Sequence, residues 1–146
     1  MRKVLRATLF VVMLLSALPT FAQSPNYDVG PVWRVTYYHI KPAQGDAFWK
    51  DFRENLRPVY DAAKKEGWIT DYKVWTNVTT DSPNDWDVAV GLLYPNYAAI
   101  DQIDAKAVTI STKHYGSRDA MLDAAKKRSE IREVVASKLA REVMPK

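Results

Sequence analysis

Cysteine is absent from all 146 residues, so disulfides, thiolate catalysis and cysteine-held metals are excluded, and any fold must be held by its core alone. Histidine is scarce too. His39 and His114 are the whole supply, too few for a multi-histidine metal centre within one subunit. No phosphate-cradling glycine loop, serine nucleophile elbow or dinucleotide fingerprint occurs, which removes those enzyme classes. Beyond residue 22 there is no apolar run long enough to cross a membrane. Charge of one sign is also missing. Of 21 Lys and Arg, three (Arg2, Lys3 and Arg6) precede the apolar stretch Ala7 to Leu18, leaving 18 against 17 Asp and Glu, or +1. A balance that close to neutral gives no basis for nucleic-acid binding, and no basic stripe accompanies the five Trp.

The basic start, the apolar run and the small residues Thr20 and Ala22 around Phe21 read as an export leader cleaved after Ala22. An uncleaved anchor is the competing reading, but the run falls short of the ~20 residues a span needs. The mature chain is therefore expected in the periplasm or outside the cell, with no membrane attachment. Residues 23 to 31, containing Pro25, Gly30 and Pro31, read as a flexible lead-in to one domain over residues 32 to 146.

That domain is organised around Val32 to Tyr94, which holds every Trp. Val32 to Ile40 (VWRVTYYHI) is β-branched and aromatic and stops at Lys41-Pro42, as a strand does. Phe48, Phe52, Leu56, Val59, Tyr60 and Ala63 form one helical stripe over Gly45 to Glu66, with Asp46 as the predicted cap, Gly67 as the stop and Pro58 predicting a kink. Strand signals return over Trp68 to Thr79 and Trp86 to Tyr94, separated by a turn around Pro83 and Asn84. A helix follows from Tyr97 to Tyr115, ended by Gly116, and a further helix from Arg118 to about Ser129 behind the cap Ser117. Glu130 to Met144 fits a helical face or a last strand equally.

Tyr38-His39-Ile40-Lys41-Pro42 with Gly45 and Phe48, and Trp86 to Tyr94 with Ala98-Ala99-Ile100, resemble the dimeric α+β barrel superfamily, which includes antibiotic-biosynthesis monooxygenase-like proteins. The resemblance implies a ferredoxin-like β-α-β-β-α-(α)-β domain, Glu130 to Met144 as the fourth strand, the second of the late helices as an addition, and two subunits packed sheet against sheet. Members of that superfamily range from cofactor-free oxygenases, haem enzymes and lactone isomerases to stress-response proteins. Its motifs encode a turn and a packing face, so a site has to be argued from residues.

With Thr36, Tyr38 and Ile40 assigned to the helix side, as the resemblance implies, Trp33, Val35, Tyr37 and His39 face the space between sheets. The same alternation is expected to send Asp71, Lys73 and Trp75, and Trp86, Val88, Val90, Leu92 and Tyr94, into that space. Two readings stay open: a packed dimer core rich in aromatics, which is preferred, or a chamber for a small apolar or aromatic molecule. Trp33, Asp71, Lys73, Trp75, Trp86 and Tyr94 are the candidate ligand contacts, and His39 with Tyr37 the candidate acid-base pair. A His with no assured carboxylate partner is more often structural. His114 suggests an axial haem ligand only through the resemblance, and a solvated helix residue is preferred. Asp81, Asn84, Asp85 and Asp87 lack the Gly and Glu of a calcium loop, so a solvated turn is preferred, and no cofactor or metal is expected. Asn77-Val78-Thr79 is a glycosylation acceptor pattern only in a eukaryotic source. The expected function is a homodimeric small-molecule-binding or stress-related module; the alternative is a cofactor-independent monooxygenase or isomerase acting on an aromatic or polyketide-like compound.

Overall fold

The computed structural model describes residues 26–79, 81–83 and 85–146; the leader expected over residues 1–22 lies outside the described residues. Four strands form one antiparallel sheet, β1 (Tyr27–Ile40), β2 (Asp71–Thr76), β3 (Val88–Tyr94) and β4 (Arg132–Pro145), in the order β2-β3-β1-β4. This order and the helices between the strands make a ferredoxin-like α+β fold. The last segment is thus a strand, paired along β1 from Tyr27↔Pro145 to Ile40↔Arg132.

β1 begins five residues before Val32, so Tyr27 to Pro31 is not a flexible lead-in. Tyr27, Asp28 and Val29 pair with the end of β4, and the register shifts between Val29 and Val32. The bulge falls on Gly30 and Pro31, where proline has no N–H to offer the ladder. β2 and β3 are shorter than their aromatic content suggested, because Trp68 and Trp86 lie outside the ladder.

The first helical stretch comprises α1 (Gly45–Asp51), a π-helical turn (Phe52–Leu56) and α2 (Arg57–Lys65). Pro58 has no N–H for the Glu54 carbonyl, and the preceding ladder slips so that the Arg57 N–H reaches Phe52 O. The predicted irregularity therefore takes the form of a widened turn. Asp46 does not cap the helix: Gln44 holds the cap position, and Asp46 lies in the first turn, where its charge suits the helix dipole. At the other end Gly67, at φ 73°, closes a Schellman motif in which Trp68 N–H donates to Ala63 O at 2.9 Å and Gly67 N–H to Lys64 O at 3.1 Å.

The single helix expected from Tyr97 to Tyr115 is two, α3 (Tyr97–Asp101) and α4 (Ile103–Tyr115), with the Asn96 side chain accepting from Ala99 N–H at 3.0 Å. Gly116, at φ 84°, ends α4; Ser117 then caps α5 (Arg118–Ile131) by accepting from Ala120 N–H at 3.1 Å. α5 runs straight into β4.

Two buried clusters join helices to sheet. Tyr38, Val88 and Val90 pack on Phe48, Phe52 and Leu56, while Tyr94 packs with Ile69 and Ile103. Among the described residues no helix is long and apolar enough to cross a membrane.

Candidate functional site

The two faces of the sheet are assigned by β3, whose sequence VAVGLLY alternates bulk. Val88, Val90, Leu92 and Tyr94 point at the helices, so the expectation that they face the space between sheets is corrected. Tyr94 is 0% exposed, a core residue rather than a ligand contact on the open face. The register shows why: Tyr37, Val35 and Trp33 pair with Ala89, Gly91 and Leu93, and residues paired across an antiparallel ladder share a face. The small residues of β3 therefore lie on the open side. Gly91 makes room there, since a Cβ would meet the rings of Trp75 at 2.7 Å and Trp33 at 3.0 Å.

Trp33, Tyr37, Lys73, Trp75 and Trp86 come together on this open face as expected. Trp33 and Trp75 meet edge-on at 6.0 Å and Tyr37 and Trp86 at 5.3 Å, while Lys73 Nζ stands 5.5 Å from the Trp33 ring centre. Trp33 Nε1 donates to Glu142 at 2.7 Å. A trough of about 460 Å³ runs between Tyr37, Trp75 and Trp86, floored by Val35 and Ala89. Asp71, paired with Leu93, shares this face by register but stands at the start of β2, where Lys64 Nζ donates to it at 2.6 Å and that hydrogen bond holds its carboxyl below the usual aspartate range.

His39 lies beyond Tyr37 at the end of the same face, and it has the carboxylate partner that the sequence could not assure. Its Nδ1 is 3.0 Å from Asp87 Oδ2 and 3.2 Å from Asp85 O. Both neighbours are acceptors, so the ring proton belongs on Nδ1 and the lone pair of the neutral ring on Nε2. Asp87 is itself fixed, by accepting from Ile40 N–H at 2.6 Å and donating its own N–H to Tyr38 O at 2.8 Å. The loop beneath is held through Asp85, which accepts from Trp86 N–H at 2.8 Å, Asn77 Nδ2 at 3.0 Å and Asp81 N–H at 3.3 Å. Those backbone donors, Trp86 first, hold the Asp85 carboxyl below the usual range. The carboxylates of Asp85 and Asp87 thus act as acceptors within the turn. An open recess of about 430 Å³ adjoins His39 between Asp81, Pro83 and Asp87. His114 is remote from this group; its Nε2 lies 3.3 Å from Asn55 Oδ1 on the helix layer.

A second space, which no periodicity announced, lies on the other side of the sheet. It is a cavity of about 220 Å³ between β1 and β3 below and α2 and α4 above. Val59, Leu92, Ile103 and Ile110 make its walls apolar, and Arg34, Thr36, Tyr60 and Ser111 bring polar groups to it. Burial, with Tyr38 nearby, pushes the Tyr60 hydroxyl above the usual tyrosine range, so it remains a neutral donor at any physiological pH. One sequence signal pointed here: Arg34 alternates with the helix-side residues Thr36 and Tyr38, on a face where a charge is costly.

Comparison with known proteins places no family around these features: no family model matches the chain, and no curated protein does. Among solved structures the chain is similar to HapK from Hahella chejuensis, at 14% identity over 76% of this chain and 91% of that one, with a TM-score of 0.47. It is also similar to an ethyl tert-butyl ether D (EthD) family protein from Bacillus halodurans C-125, at 19% identity over 77% of this chain and 98% of that one, with a TM-score of 0.47. These likenesses concern the arrangement of strands and helices, and the reading of the site rests on this chain's own residues.

Proposed function

We propose that the protein is a small-molecule-binding module whose ligand occupies the cavity between the sheet and helices α2 and α4. The observation that carries this reading is the cavity itself, a space walled by apolar side chains with a few converging polar groups, the usual make-up of a ligand site. At about 220 Å³ it suits a compact ligand, a single ring or a short chain, rather than a polycyclic one. Native mass spectrometry of the mature protein tests this directly. Retained mass that disappears in Ala107→Phe, a cavity-filling variant, is the expected result. A wild type that retains nothing and gains no thermal stability from a panel of compact aromatic and aliphatic compounds overturns it.

The open face supports a homodimer as the working form. Trp75 is 40% exposed there beside Trp33, Tyr37 and Trp86, an aromatic surface that a second sheet would cover. Sedimentation of the mature chain as a monomer at micromolar concentration removes this part of the reading. Residues 1–22 act in this proposal as an export leader cleaved after Ala22, and an intact mass that starts at Gln23 is the corresponding check.

A second reading, a cofactor-independent monooxygenase or isomerase, is favoured by the His39–Asp87 pair. With Nδ1 committed to the carboxylate, Nε2 is free to take a proton from a weakly acidic substrate in the adjoining recess. Turnover that vanishes in His39→Ala while assembly persists would establish it; turnover indifferent to that change would dismiss it.

A further inference from the structure

We infer that the ligand of the helix-side cavity carries a single negative charge and is anchored by Arg34. This inference rests on the reading of that cavity as the ligand site. Arg34 supplies the one charged side chain among the described lining residues, and the remaining walls are apolar or hydroxyl-bearing. Its guanidinium stands 5.6 Å from the Tyr94 ring centre, and among the described residues no carboxylate lies within ion-pair distance of it.

The neighbours explain why none does. Across the ladder Arg34 faces Leu92 on β3 and Leu139 on β4. From the helix layer α2 presents Val59, Tyr60 and Ala63, and α4 presents Ile103, Ala107 and Ser111. A half-buried cation beside such walls loses hydration without gaining a counter-charge, and an arginine is suited to gripping a carboxylate or similar planar anion with two parallel N–H donors. The hydroxyls of Thr36, Tyr60 and Ser111 add donors that an anion can use. On the helix side Arg128 is matched by Asp51 at 3.8 Å and by the Tyr115 hydroxyl at 2.7 Å, while Arg132 has no carboxylate among the described residues and lies 4.0 Å from the Tyr38 ring centre. Arg34 differs from both in lining the cavity under α2 and α4. The ligand class is a compact amphipathic monoanion, a small aromatic or short aliphatic acid.

The test compares matched probes on the full mature protein: benzoate against benzamide and hexanoate against 1-hexanol, with affinities read by calorimetry and ligand-observed NMR. The acids are expected to bind on the order of tenfold or more tightly than their neutral counterparts, the worth of one charge-assisted contact. Arg34→Gln is expected to erase that preference while leaving binding of the neutral probes, which also certifies that the variant is folded; Arg34→Lys should keep part of it. Equal affinity for acid and neutral probes, or a preference that survives Arg34→Gln, overturns the charge assignment alone. If neither class binds, or if binding of both survives Ala107→Phe, the cavity reading falls and this inference falls with it.

Discussion

The two faces of this one sheet are built from the same strands and do opposite work. On the helix side Tyr38, Val88, Val90 and Tyr94 are sealed beneath Phe48, Phe52 and Ile103, and a cavity beside Arg34 breaks that seal. On the open side the strands set small residues, Ala89 and Gly91, under large ones, Trp33 and Trp75, whose rings remain partly in solvent. Burial stabilises the first face within one copy of the chain. The second leaves its rings partly exposed, so the closed face holds the fold and the open one carries the proposed assembly surface.

Core truncation should separate the faces most strongly. Phe48, 2% exposed and in contact with Trp49, Phe52 and Tyr38 rings, should cost about 3–5 kcal/mol as Phe48→Ala, read by urea unfolding. Trp75→Ala should cost clearly less in a single copy while weakening the proposed dimer, so sedimentation, not unfolding, should register it. Equal losses of stability from the two variants would erase the distinction between the faces.

Gly91→Ala sharpens the comparison, because it adds one methyl to the open face and nothing to the closed one. The new Cβ must displace the outer ring atoms of Trp75, and we expect a loss of about 1–3 kcal/mol together with altered tryptophan fluorescence. Unchanged fluorescence would mean that the Trp33–Trp75 pair is not seated as described.

A smaller effect is expected from the loop that supports His39. Asp85 has its carboxyl lowered by the backbone donors of Trp86 and Asp81, so its contribution is fully present above the ordinary aspartate value of about 3.9 and is lost as pH falls through its lower folded value. Asp85→Asn should therefore be less stable than wild type near neutrality, and the difference should close in acid. A gap that persists at the lowest pH would assign the effect to geometry, not charge. The smallest change belongs to the exposed Lys64–Asp71 pair at the β2 edge: Lys64→Met should leave thermal unfolding indistinguishable from wild type, since exposed ion pairs are screened.

Much of this was legible before any tertiary contact was known. The Lys41-Pro42 break, the stripe from Phe48 to Ala63, Gly67 and Gly116 as stops and Ser117 as a cap are local signals, and local geometry honours them. The flexible lead-in was misread because Gly30 and Pro31 look like loop residues until β4 arrives and turns them into a bulge. The parity of β3 was misread for a related reason. Alternation says that Val90 and Gly91 face opposite ways, but not which way, and large residues were sent to the aromatic side when the helices claimed them. Likewise Asp87 was one acid among several in a turn until the β1–β3 pairing brought it under His39. Arg34 was a charge in a strand until α2 and α4 roofed it.

What the sequence determined by itself was the succession of strands and helices from Val32 to about Ser129, since caps, breaks and periodicities act over a few residues and need no distant partner. Whether Arg132–Pro145 became strand or helix, which face of β3 was buried, and which polar groups met at His39 and at Arg34 were decided only by the tertiary structure. Each depends on residues far apart in the chain, and the free edge of β1, the bulk of the helices and the room left above Gly91 choose among alternatives that are locally equal.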